Sequence, residues 1–142
     1  STTLATAPRD WTVFSDDAAL IWPEQEQWYA SPLPSWTMMT ASSVRPSGQP
    51  FDLSRTCPVT GMIVLSKEMT VRCERLSPAA AAPHLFRALG EYPSTVLSGL
   101  QFKEHFFRTA CALARALPCW RLELPLGADI WPLLAKLIGE GR

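Results

Sequence analysis

Met62-Ile63-Val64-Leu65-Ser66-Lys67-Glu68-Met69-Thr70-Val71-Arg72-Cys73-Glu74 is the stretch on which the fold class turns. Its first four residues form an aliphatic run, and Ser66-Lys67-Glu68 interrupts it. The last six alternate strictly, with Met69, Val71 and Cys73 on one side and Thr70, Arg72 and Glu74 on the other. Residues two apart share a face of an extended chain, so the pattern predicts a β-hairpin with one buried face. C-terminal to it, Ser77-Pro78 reads as a helix cap followed by proline at the first helical position, and the alanines at 79–82 sustain the helix. Pro83 is expected to interrupt it, because proline lacks an N–H and its ring collides with the preceding turn. A fresh turn from Pro83 carries Leu85, Phe86 and Leu89 to Gly90.

The longest predicted helix runs from about Ser94 to Leu117 and ends at Pro118. At 100° per residue, Gln101, Glu104, His105, Arg108 and Arg115 gather on one side. Phe102, Phe106, Phe107, Ala110, Cys111, Leu113, Ala114 and Leu117 fill about half the circumference opposite. Residues 119–124 alternate again and predict a further strand, with Trp120, Leu122 and Leu124 opposite Cys119, Arg121 and Glu123. Asp129 then caps a last helix, Ile130 to Ile138, with Pro132 in its first turn and Gly139 at its end. Strands and helices of this order make an α+β domain, in which a β-hairpin and a further strand pack against two or three helices, one of them long and amphipathic.

N-terminal to this core, residues 31–61 contain seventeen Pro, Gly, Ser or Thr, which excludes a long helix there. Ser15, Asp16 and Asp17 look like a helix N-cap with acids in the first turn, opening a short helix through Ile21 or Trp22. Glu24 to Ala30 is the next predicted helix. Half of the chain's aromatics, Trp11, Phe14, Trp22, Trp28, Tyr29, Trp36 and Phe51, fall before residue 62. Segments that never fold are depleted in such residues, so residues 1–61 are expected to be an irregular, extended arm that wraps the 62–142 core within one domain, or wraps a partner.

Composition narrows the function classes. The 142 residues are 47% hydrophobic and 18% charged, enough for one core with a surface slightly poor in charge. Thirteen basic residues balance thirteen acidic ones, so the chain lacks the cationic excess that favours nucleic acid. Neither an 18-residue apolar run nor a secretory signal pattern occurs, which predicts a soluble cytoplasmic protein without membrane insertion. Cys57, Cys73, Cys111 and Cys119 are scattered, without the spacing of a disulfide scaffold or zinc knuckle, and read as reduced thiols.

No catalytic constellation emerges. His84 and His105 titrate nearest neutrality but have no local companion, and no Gly-x-Ser-x-Gly elbow holds a nucleophile. Lys103 falls within the apolar arc of the long helix, where a desolvated lysine would become a base or amine nucleophile. The carboxylates at Asp16 and Asp17, or Glu24 and Glu26, are better explained as caps than as an acid–base pair. Seven dispersed glycines form neither a P-loop nor a dinucleotide fingerprint, and no cofactor or metal is implied. The most unusual feature is the density of Trp11, Trp22, Trp28, Tyr29 and Trp36, a set suited to a binding surface because aromatic side chains dominate interface hot spots.

Thr56-Cys57-Pro58-Val59-Thr60-Gly61, followed by the 62–74 segment with Cys73, resembles the opening of RING-like and U-box ubiquitin-ligase domains. The resemblance covers under a fifth of the chain, and Cys73-Glu74-Arg75 stands where those domains carry Cys-x-His. It implies a degenerate module that folds without metal. The residues themselves favour a non-catalytic protein-interaction module: an adaptor, an accessory factor or a subunit of a larger assembly, meeting a protein partner or a second copy. The competing reading is a small enzyme or ligand-binding domain whose pocket lies between the aromatic arm and the long helix and takes a small molecule.

Overall fold

A computed structural model describes residues 7–12, 14–15, 18–33, 54–91 and 100–140. The order of elements is β1 (Ala19–Glu24), β2 (Gln27–Pro32), β3 (Cys57–Pro58), β4 (Met62–Lys67), β5 (Arg72–Leu76), α1 (Pro78–Glu91), α2 (Leu100–Ala116), β6 (Cys119–Leu124) and α3 (Trp131–Glu140). The fold is α+β, with two three-stranded sheets and three helices among the described residues. The chain divides into two units, one of Ser1–Val59 with Gly127–Arg142 and one of Thr60–Leu126.

In the first unit the sheet order is β1-β2-β3, antiparallel throughout. The helices expected at Ser15–Trp22 and Glu24–Ala30 are replaced by a β-hairpin, in which Ala19 pairs with Pro32 and Glu24 with Gln27. Gln25-Glu26 forms its two-residue loop, and Gln25 takes the left-handed conformation at φ 56°. A tight hairpin needs such a residue because its turn must follow the right-handed twist of the strands. Period two, not 3.6, governs burial along β2: Trp28, Ala30 and Pro32 are buried while Tyr29 and Ser31 are half-exposed. Pro23 sits in β1, an edge strand, where its missing N–H costs no ladder bond. Ser15 caps no helix; its hydroxyl donates to the Ala18 carbonyl at 2.5 Å. Asp16 and Asp17 lie outside the described residues.

In the second unit β4 and β5 do not pair with each other. The order is β4-β6-β5, with β6 parallel to β4 and antiparallel to β5. The expected hairpin therefore opens to admit the strand that follows the helices. A central strand needs apolar residues toward both faces, and β6 supplies them in Cys119 and Leu122, both buried. The face expected to be buried along Met69–Glu74 is also reversed. Met69, Val71 and Cys73 are exposed, whereas Glu74 is half-buried and Leu76 is buried. The strand starts at Arg72, so its anchor is Leu76 opposite Cys119, a residue beyond the alternating stretch.

α1 begins as expected: the Ser77 hydroxyl accepts from the Ala80 N–H at 3.3 Å, and the Ser77 carbonyl accepts from Ala81 at 2.9 Å. It does not break at Pro83 but continues for fourteen residues. Pro83 is exposed, and the helix holds because Ala81, Ala82 and Leu85 are buried on the opposite side. They pack against α2, whose Ala110, Leu113 and Ala114 are buried. Alanines at this seam let the helix axes approach closely. Gly61 allows another close approach, since a Cβ there would lie 2.8 Å from Trp120 Cζ3.

α3 belongs to the first unit and is capped by Asp129, whose Oδ1 accepts from the Trp131 N–H at 3.1 Å. It starts and ends close to the expected positions, with Pro132 in the first turn.

Candidate functional site

The aromatic residues expected to form a binding surface are distributed over separate contacts of the first unit. Trp22 and Tyr29 are cross-strand partners with stacked rings, centroids 6.3 Å apart. Trp28 points to the other side of β2 and is buried. Trp11 meets Trp131 edge-on at 5.1 Å, which ties the N-terminal segment to the start of α3. Such pairs are worth about 0.5–1.5 kcal/mol beyond their buried area and explain the aromatic density in part as packing. Trp36 lies outside the described residues.

Lys103 is exposed on α2, and the buried seam of the helix runs instead through Ala110, Leu113 and Ala114. His105 is exposed as well, with its ring tilted against Phe106 at 6.1 Å. His84 is different. From α1 it reaches the sheet, where Arg121 of β6 lies 3.1 Å from its Nε2. A guanidinium can only donate, so in this contact Nε2 is the acceptor. The other guanidinium nitrogen of Arg121 binds Glu74 of β5 at 3.3 Å, and Glu74 also accepts from Arg72 at 3.0 Å. Histidine, arginine and carboxylate thus join one helix to two strands. Arg121 engages the imidazole and the carboxylate together.

Among the described residues no group of three or more His, Cys, Asp or Glu is placed to hold a metal ion. All four cysteines are free of disulfides. Cys119 is buried, and burial pushes its thiol up from the ordinary 9.0. It therefore stays protonated near neutral pH and donates to the Leu117 carbonyl at 3.5 Å.

What the sequence reading missed is the far end of the second unit's sheet. β4 and β6 run parallel, so the loop 68–71 that follows β4 and the residues that follow β6 leave the sheet at the same end. The Glu68 N–H bonds the Leu124 carbonyl at 3.0 Å and holds the two exits together. Four aliphatic side chains stand out at or near this end: Leu65 at 60% exposure, Met69 at 91%, Val71 at 56% and Leu126 at 81%. Ile63, two residues before Leu65, extends the same face of β4. Among the described residues β4 is an edge strand, with β6 on one side and no strand on the other. Apolar side chains exposed along an unpaired strand edge are a surface to which another strand can add. The signal lay in Met69 and Val71 themselves, read as core because their alternation matched a buried face.

No helix among the described residues is long and apolar enough to cross a membrane. A family model described as SynChlorMet cassette protein ScmC matches residues 1–139. No curated protein and no solved structure matches the chain.

Proposed function

The chain belongs to the family of SynChlorMet cassette protein ScmC, and we propose that it acts as a non-catalytic interaction module, an accessory factor or subunit that docks an extended segment of a partner protein along β4. The observation that carries this reading is the exposure of Ile63 and Leu65 along β4, an edge strand among the described residues, with Met69 exposed in the loop that follows it. A strand added there gains main-chain hydrogen bonds from the edge, and Ile63 and Leu65 offer it an apolar face. The structural engagement of His84 and the exposure of Lys103 and His105 favour binding over catalysis. The same proposal puts the protein in the cytoplasm, where four cysteines free of disulfides suit a reducing compartment.

The test is affinity purification from the native host with the wild-type chain and a Leu65→Lys/Met69→Lys double variant, followed by a titration of the purified partner. The expected result is a protein that accompanies the wild type in fixed ratio, with affinity at least about tenfold weaker for the variant, as loss of apolar hot-spot residues implies. Equal recovery with both chains, or no partner with either, would sink the proposal. A concentration-dependent dimer that the variant abolishes would give the face to a second copy and overturn the partner reading.

A further inference from the structure

Leu76 and Cys119 are register partners, and the two turns of the chain beside them, residues 75–78 from the end of β5 into α1 and residues 114–119 from the end of α2 into β6, line an open cleft of about 480 Å³. That volume lies in the range of small-molecule sites. Both turns belong to the second unit. The lining contains two arginines, Arg75 and Arg115, and no acidic residue.

Six arginines fall within Thr60–Leu126, and the distribution of their partners is uneven. Arg72, Arg87, Arg108 and Arg121 each bind a glutamate. Arg75 and Arg115 are exposed, and among the described residues neither forms an ion pair. The two unneutralised guanidiniums of the unit are thus the two that border the cleft. Arg115 also suits the last turn of α2, where a cation opposes the helix dipole, but that accounts for nothing at Arg75. Ser77 adds a donor: its oxygen accepts from Ala80, which leaves its own O–H to bind elsewhere. Leu76, Ala114, Leu117 and Pro118 supply an apolar wall.

We infer that this cleft binds a small organic dianion, with Arg75 and Arg115 holding a phosphate-monoester or paired-carboxylate head and the apolar wall taking its body. Guanidinium is the group that pairs bidentately with either head. Two cations without a neutralising acid match a charge near −2, which a phosphate monoester carries at about pH 7. The inference is independent of the docking edge, because it rests on other residues.

Calorimetric titration of the full chain with phenyl phosphate, phthalate, benzoate and inorganic phosphate tests it. Phenyl phosphate or phthalate is expected to bind one to one, and the tighter of the two identifies the head. Benzoate, with one charge fewer, is expected to bind about tenfold more weakly. Arg75→Gln and Arg115→Gln are each expected to weaken the dianion about tenfold, with melting unchanged because both side chains are exposed. Undiminished binding by the double variant would overturn the inference, as would no saturable binding of either organic dianion up to about 10 mM. Inorganic phosphate binding as tightly as phenyl phosphate would overturn the organic part and leave an adventitious ion only.

Discussion

Cys119 shows how one buried group ties packing to pH. Burial raises its thiol above 9.0, so the folded state holds that proton more tightly than the unfolded chain does. The resulting stabilisation is complete below about pH 9 and is lost as pH rises through the folded-state value. Thermal melts of the wild type are therefore expected to fall on the alkaline side of about pH 9, and Cys119→Ala should lack that component although it melts lower throughout. Cys119 should also be alkylated far more slowly than the exposed Cys73. Arg121 holds both His84 and Glu74 and is largely covered, so Arg121→Met should cost about 1–2 kcal/mol in a urea titration. Arg72 touches the same carboxylate from an exposed position, and Arg72→Met should cost less than about 0.5 kcal/mol. Neither network member was legible as such: His84 and Arg121 are thirty-seven residues apart, and nothing in their local sequence links them.

At the scale of elements, α1 sets a local rule against a packed face. Pro83 forfeits one helical hydrogen bond to Ala79 and crowds the turn before it, which argues for a break. The helix continues because Ala81, Ala82 and Leu85 are buried together against α2, and a break at residue 83 would separate them. Pro83→Ala should restore the missing bond at an exposed site and raise stability by about 1–3 kcal/mol, measured by chemical denaturation. Elements with strong punctuation were legible. Ser77-Pro78 fixed the start of α1, Asp129 the cap of α3, and the alternation at 119–124 marked β6 over its full length. The β1–β2 hairpin was not, because Ser15-Asp16-Asp17 mimics a helix cap and no Asn-Gly or Asp-Gly announces the turn. Gln25 takes the left-handed conformation that glycine would normally signal.

Across the whole molecule, the exposed aliphatic end of the second unit's sheet separates what stabilises the fold from what the fold presents. Leu65 and Met69 contribute little to the core, so Leu65→Lys/Met69→Lys should leave the unfolding free energy within about 0.5 kcal/mol of the wild type while changing association. A large loss of stability in that variant would return both residues to the core. Sequence alone determined the α+β class, the start of α1, the cap of α3 and the full span of β6, because capping chemistry and residue periodicity act within a few residues of the chain. Only the tertiary structure decided which strands pair, which face of the 69–74 stretch meets solvent and which arginines go without a carboxylate. Those outcomes depend on β6 entering between β4 and β5, a contact between segments some forty to sixty residues apart that no local pattern encodes.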